Sequence, residues 1–301
     1  MTLAIDPRRS SQDEILAGGE FPLMRRDLAE IAAMIYSDAG IYLNETKASL
    51  VYSRLSKHIR QLGLKNFRSY CELVSSPEGA GERREMLSYL TTNFTRFFRE
   101  NHHFDHLRTE VLPGLITRLK AGGRARIWSA ASSDGQEPYS IALTALSVMP
   151  NIADYDFKIL ATDIDPKILA AARLGAYDES ALETVSPQMR KQWFQQVSIG
   201  GKPKWQVADA VKRLITYNEL NLMASWPFKG QFDVIFCRNV VIYFDEPTQV
   251  KIWTRFSDLL PVGGHLYIGH SERVSGESKA WFDNTGITTY KFLGKSGGRK
   301  G

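Results

Sequence analysis

At Ala121-Gly122-Gly123 the hydrophobic period of the chain changes, and this change sets what each side can fold into. Ahead of it, apolar residues recur every three or four positions, the spacing of one buried helix face. Residues 21–39 are expected as a helix with Leu28, Ile31, Ala32 and Ile35 on its stripe. A second helix starts after Asn44, a suitable N-cap, carries Val51, Leu55, Ile59 and Leu62 on its apolar side, and stops at Gly63. Helices over 67–75, 82–90 and 102–119 complete this part.

Past Gly123, short apolar runs alternate with helical stretches. Residues 126–130, 157–162, 214–217, 232–237 and 264–268 read as strands, with helices at 138–149, 167–174 and 248–260. Such alternation implies an α/β fold, a parallel sheet with helices on both faces. Residues 288–293 alternate like an edge strand, which makes the sheet mixed. The stretch 178–213 is too long for a simple connection. It carries Gly200-Gly201, Pro203 and the strand-like Lys204-Trp205-Gln206-Val207, and reads as a small inserted β subdomain. The expected layout is a flexible terminus at 1–20, a helical domain at 21–91, a linker and helix at 92–123, and an α/β domain at 124–301.

A chain with 43% hydrophobic and 24% charged residues has soluble globular composition, and no apolar run approaches the roughly 20 residues of a membrane span. Residues 1–20 lack the apolar core of a signal peptide, so a cytoplasmic location without membrane insertion is expected. Cys71 and Cys237 are too few for a disulfide framework and have no neighbouring His to form a zinc site, so no metal is expected. The net charge of +5 suits an acidic partner and does not by itself argue for nucleic acid.

In an open parallel sheet, ligands sit beyond the carboxyl ends of the strands, near the switch point. The first strand runs into Ser132-Ser133-Asp134-Gly135-Gln136-Glu137-Pro138, where small residues allow close backbone approach. The second ends at Asp163, with Asp165 beyond it. An acid there can hold ribose hydroxyls; both aspartates could equally cap the next helix. The first loop lacks G-x-G-x-x-G, which favours a nucleoside without phosphates, such as S-adenosylmethionine, over NAD.

Specific strings go further. Thr92-Asn93-Phe94-Thr95-Arg96-Phe97-Phe98-Arg99-Glu100, Trp128-Ser129-Ala130-Ala131 with Gly135-Gln136-Glu137-Pro138-Tyr139-Ser140-Ile141-Ala142, Ala161-Thr162-Asp163-Ile164-Asp165, Phe236-Cys237-Arg238-Asn239-Val240-Val241-Ile242-Tyr243-Phe244-Asp245, and Gly269-His270-Ser271-Glu272 occur in this order. Together they resemble the chemotaxis receptor methyltransferases of the CheR type, over about residue 30 to residue 293. The resemblance implies a Rossmann-like class I methyltransferase sheet with an all-helical N-terminal domain and a small β insertion. It implies transfer of the methyl group of S-adenosylmethionine to glutamates of chemoreceptor cytoplasmic helices, leaving S-adenosylhomocysteine. It also implies that Asn93, Thr95 and Arg99 close over the methionine end of the cofactor, and that Glu137 receives its ammonium. Asp163 would hold the ribose, Asn221 and Leu222 line the adenine pocket, and Asn239 and Val240 lie beneath the sulfonium. One departure stands at Gln136, where the family more often has a glutamate. Phe97 and Phe98 read as linker packing, and His270 and Glu272 as the end of a strand.

A glutamate side chain, with a pKa of about 4.3, is already an anion at neutral pH and needs no general base to attack a sulfonium. The enzyme has to align and desolvate the two charges. Arg99 could steer the acceptor carboxylate or pin the cofactor's own, and Tyr243 could orient the acceptor or simply fill the core. Arg54, Lys57 and Arg60 lie opposite the apolar stripe of the second helix, with Lys65 and Arg68 following and Glu45 as the nearby acid. Such a face is commonly just solvated, but the resemblance makes it the surface that meets acidic receptor helices. In this family the insertion can also tether a receptor's C-terminal tail; a structural flap is the alternative. Competing readings are a methyltransferase acting on another protein or small-molecule carboxylate, and a non-catalytic S-adenosylmethionine-binding module. A nucleic-acid methyltransferase is disfavoured because no N-P-P-Y-like string occurs.

Overall fold

The computed structural model describes residues 13–295, so the expected fraying of residues 1–12 lies outside it. The chain divides into two compact units: one runs through Thr92 and includes Tyr243–Asp245, and the other comprises Asn93–Ile242 and Glu246 onward.

The first unit holds helices α1 (Arg25–Ala39), α2 (Ala48–Gln61), α3 (Phe67–Ser75) and α4 (Ala80–Leu90). Their stripes meet in a core of Ile31, Ile35, Val51, Leu55, Ile59, Phe67 and Met86, all fully buried. Asn66 caps α3 by accepting the Ser69 N–H, and Gly40 ends α1 in the left-handed conformation. Leu62, expected on the stripe, is 40% exposed, because α2 ends one residue before it. Residues 13–20 do not fray. Strand β1 (Ile15–Ala17) pairs antiparallel with β2 (Leu23–Met24), and Asp13 and Glu14 bind Arg26 and Arg25, each at 2.7 Å. Tyr243–Asp245 joins this unit through the Tyr42 N–H to the Tyr243 carbonyl and through Tyr36 Oη to Asp245, both at 2.8 Å.

The second unit opens with α5 (His102–His106), a π-helical turn at Leu107–Val111, and α6 (Leu112–Lys120). Strands β3 (Arg124–Ala130), β4 (Asp156–Asp163), β8 (Ile215–Glu219), β9 (Val234–Cys237), β10 (His265–Ile268), β11 (Phe282–Gly286) and β12 (Thr289–Phe292) form one sheet in the order β11-β12-β10-β9-β3-β4-β8. β12 runs antiparallel to both its neighbours and the other pairs are parallel. The sheet is mixed, but the C-terminal strand is not its edge: β11 covers it. The order reverses at β3, so the switch point lies between β3 and β9. Helices α7 (Gln136–Val148), α8 (Pro166–Leu174) and α11 (Glu246–Leu259) belong to the same unit. The first eleven residues of α7 are all buried, the polar Gln136, Glu137, Ser140 and Thr144 among them. Cys237 is a buried free thiol in β9.

The insertion is a three-stranded antiparallel sheet in the order β5 (Ala176–Tyr177), β7 (Lys202–Val207), β6 (Phe194–Ile199), with α9 (Pro187–Trp193) ahead of β6 and the short α10 (Asp209–Lys212) after β7. Gly200 and Gly201 turn the β6–β7 hairpin with φ of 59° and 75°, the pair of positive values such a two-residue turn demands. Trp205 and Gln206 of β7 pair on both sides, with β5 and with β6, and the longer of the two outer strands is β6. Phe97 is fully buried with its ring 5.1 Å from Tyr177 and 5.6 Å from Phe194, so it packs the linker onto the insertion.

Candidate cofactor site

At the end of β3 the chain passes through Ala131 (φ 57°), Ser133 (φ 52°) and Gly135 (φ 94°). A Cβ on Gly135 would lie 2.9 Å from that of Ala172 and 3.0 Å from Tyr217 Oη, so the close approach requires glycine. Asp163, at the end of β4, holds this loop. One of its oxygens accepts the Ser133 N–H at 2.8 Å and the other the Asp165 N–H at 3.1 Å. Asp165 is the helix cap, accepting from the N–H groups of Lys167 and Ile168. Of the two aspartates, Asp165 is thus the one that caps the next helix. Burial pushes the Asp163 carboxyl up to about 6 despite its backbone donors.

The linker is pinned to the same loop. Ser133 Oγ donates to the Asn93 carbonyl at 2.8 Å, Gln136 Oε1 accepts the Phe97 N–H at 3.0 Å, and Ser140 Oγ accepts the Phe98 N–H at 2.9 Å. Gln136 also donates to Asp134 at 2.9 Å. The amide therefore fits beside Asp134, where a glutamate would set two carboxylates together. Thr95, Asp134, Gln136, Tyr177, Thr184 and Lys204 are among the residues around a cavity of about 430 Å³. The Arg99 side chain donates to the Phe94 carbonyl at 3.1 Å, folding back on its own turn.

Glu137 is buried. Ser129 Oγ donates to one of its oxygens at 2.7 Å and Arg238 Nη1 to the other at 3.0 Å. Burial raises its carboxyl, with Arg238 and Ser129 opposing. Arg238 also faces Glu100 at 3.3 Å and donates to the Arg99 carbonyl. Burial alone would raise Glu100, but Arg238 and the His270 N–H hold it below its ordinary value. Glu100, His102 and His103 bring three potential ligand atoms within 4.8 Å of one another, and Glu100 also faces the Arg238 guanidinium. His103 Nε2 lies 3.1 Å from the Ile287 carbonyl, and burial drives this imidazole down to about 3.

Glu272 does more than end a strand. Buried, it accepts N–H groups from Gly269 (2.6 Å), Asn239 (3.1 Å), Val241 (2.8 Å) and Ile242 (3.2 Å). These bonds hold the loop after β9, where Asn239 has φ 59° and its side-chain amide reaches Glu100 at 3.3 Å. Val240 is half-buried in the same loop. Asn221 Oδ1 accepts the Met223 N–H at 2.8 Å, and the carbonyl of buried Leu222 accepts from Arg255 at 2.5 Å. Within the second unit Asn93, Thr95 and Arg99 lie on the linker, Glu137 in the first turn of α7, Asp163 at the end of β4, Asn221 and Leu222 just after β8, and Asn239 and Val240 just after β9. Tyr243 falls in the other unit. Sequence reasoning missed Arg238, Glu100 and Glu272 as organisers of the site; a charged residue inside an otherwise apolar strand end, as at Arg238, was the available signal.

The basic helix face needs correction. Arg54 does not project as a free charge: it donates to the carbonyls of Leu90 (2.8 Å) and Thr91 (2.9 Å) and to Thr92 Oγ1 (2.9 Å), capping the end of α4. Arg60 pairs with Glu20, and Arg68 with Glu30 at 2.8 Å. These acids come from segments distant in sequence, so Glu45 is not the only one nearby. Lys57 and Lys65 are exposed.

Residues 93–291 match the family model described as CheR methyltransferase, SAM binding domain, so the second unit is an S-adenosylmethionine-binding methyltransferase domain. Residues 26–91 match the model of the CheR methyltransferase all-alpha domain. The chain belongs to the CheR methyltransferase family. It is 80% identical over 267 residues to a probable chemotaxis protein methyltransferase of Rhizobium etli, covering 89% of this chain and 100% of that protein. It is 40% identical to chemotaxis protein methyltransferase 2 of Pseudomonas aeruginosa, covering 87% of this chain and 92% of that protein. It is also 40% identical to the chemotaxis protein methyltransferase of Escherichia coli K12, covering 81% and 83%.

Two expectations follow. The folded chain holds the Asp163 proton more tightly than the unfolded one, so this group costs stability as pH rises from about 4 to about 6. The difference in unfolding free energy between the chain and its Asp163→Asn variant should change across that window and level off above it; a flat difference would remove the assignment. Arg54→Ala should lower unfolding free energy by about 1–3 kcal/mol, the cost of stranded carbonyls, whereas Lys57→Ala should leave a urea unfolding curve unchanged.

Proposed function

We propose that the chain methylates glutamate carboxylates on the cytoplasmic helices of chemoreceptors, forming glutamyl methyl esters in chemotactic adaptation. The observation that carries the reading is an imbalance of groups: two carboxyl groups, Glu100 and Glu137, face the one guanidinium of Arg238. S-adenosylmethionine, with an ammonium and a sulfonium against one carboxylate, is a net cation and complements it. In this reading Asn93, Thr95 and Arg99 cover the methionine end, and Glu137 meets the ammonium with a remaining lone pair. Asp163 takes the ribose, Asn221 and Leu222 flank the adenine, and Asn239 and Val240 lie beneath the sulfonium. When bound, the cofactor supplies the electrophilic methyl group, and the protein aligns an acceptor that is already ionised.

The expected result is transfer of radiolabelled methyl from S-adenosylmethionine to receptor-enriched membranes, with the label released as methanol by mild base. Base-stable label would overturn the ester, and tight NAD binding in calorimetry would overturn the cofactor. Asp163→Ala should weaken cofactor binding by about 1–3 kcal/mol.

For the receptor-facing surface, the exposed Lys57 and Lys65 remain the candidates within the basic face. Screening confines exposed charges to about 8 Å at physiological salt. Lys57→Ala with Lys65→Ala should therefore slow methylation at low salt and less at high salt; an unchanged salt dependence would return them to plain solvent exposure. The open edge of β6 is the place where a receptor tail could add a strand. Replacing the β6–β7 hairpin tip should weaken receptor association while sparing cofactor affinity; equal losses would make the insertion structural.

A further inference from the structure

Arg238 follows the last residue of β9, next to the switch point, and its side chain is 2% exposed. A guanidinium so placed is desolvated and has to be matched by acceptors. It meets three, two on one turn of the linker and one on a helix. Nη1 donates to Glu137 Oε2 at 3.0 Å, in the first turn of α7. Nη2 faces Glu100 Oε2 at 3.3 Å and also donates to the Arg99 carbonyl. The Phe104 ring lies beneath the guanidinium, 5.6 Å from its carbon.

The turn that receives Nη2 does not hold its shape unaided. Phe98 and Glu100 both have positive φ, at 51° and 55°, a conformation that costs a residue with a Cβ and persists only where the surroundings enforce it. Arg99 stands between them, and the direction of its side chain follows from the two flanking residues. Ser140 and Gln136 restrain the turn from the α7 side, through the Phe98 and Phe97 N–H groups. Arg238 restrains it from the side of the sheet.

We propose that Arg238 is a positioning residue for methyl transfer: its fork locks the Phe98–Glu100 turn to Glu137 and so sets how Arg99 and the first cofactor loop together meet the cofactor. The inference rests on the methyltransferase reading above. A lysine cannot replace the arginine, because one ammonium does not span acceptors on two separate elements with the fixed geometry of a planar fork. The surplus carboxyl group of the cluster faces the cofactor only while the fork keeps Glu100 and Glu137 in register.

The test compares the full chain with Arg238→Lys, Glu100→Gln and the double variant. It measures S-adenosylmethionine affinity by calorimetry, kcat and KM with receptor-enriched membranes, and thermal unfolding. Arg238→Lys is expected to raise the Kd and KM for S-adenosylmethionine by roughly 10- to 100-fold, the scale of a small misplacement of binding groups. The KM for receptor membranes should stay within about twofold. Glu100→Gln should move cofactor affinity in the same direction by less. The double variant should be no worse than Arg238→Lys, because both act through one contact. A Lys variant with full cofactor affinity and only a lowered melting temperature would make Arg238 a merely structural buried charge. Additive losses in the double variant would also overturn the proposal. If Arg238→Lys does not fold, Glu100→Gln decides, and an unchanged Kd there counts against it. A parent chain that binds S-adenosylmethionine but does not label receptor membranes would overturn the acceptor and leave the calorimetry to judge Arg238. A parent chain that does not bind it would overturn both readings.

Discussion

The loops at the carboxyl end of the sheet hang from buried carboxylates. Asp163 holds the turn after β3, Glu272 holds the turn after β9, and Glu137 with Glu100 holds the linker through Arg238. Taking such groups out of water costs several kcal/mol each unless donors surround them. Here the donors are mostly backbone N–H groups of the loops themselves, so the cost of burial is offset only when the loops adopt this one shape. The same constraint accounts for the strained backbone. Among the described residues, the positive-φ residues other than glycine are Phe98, Glu100, Ala131, Ser133, Asn239 and Thr288, and each lies in one of these turns or beside His103 at the site's edge. Strain of this kind clusters where a protein has to present groups in fixed directions.

Gln136 shows how such a network tolerates exchange. Its amide donates to Asp134 and accepts from Phe97, two opposite demands that a carboxylate could meet only by taking up a proton. An amide at this position beside an aspartate two residues earlier keeps the linker in place without adding charge to a crowded site.

The alternation of strands and helices was legible because burial on one or two faces imposes a period that local sequence records. What was not legible depended on partners far along the chain. The strand at Thr289–Phe292 looked like an edge because its cover, Phe282–Gly286, contains Asp, Asn and Gly, which favour strands poorly. Arg54, Arg60 and Arg68 looked like a free basic face because nothing local reveals that α4, Glu20 and Glu30 fold against them. Most of the candidate cofactor residues sat in the strings that carry the family resemblance, and Asn221 and Leu222 came with the resemblance alone. Arg238 sat inside one of those strings, but its task is defined by Glu100 and Glu137, which sequence order places far away. Residues 15–17 form too short a run to register as a strand without the ion pairs flanking their hairpin.

The membership of Tyr243–Asp245 in the first unit bears on how the chain is made. The four helices leave the ribosome early, but the segment that completes their unit is synthesised about 150 residues later, a delay of roughly 8 to 30 seconds at common translation rates. During that interval the Tyr42 N–H and the Tyr36 hydroxyl have to wait for their eventual partners. The helical unit therefore reaches its final form only after most of the sheet that follows it has been translated, which couples the maturation of the two units in time.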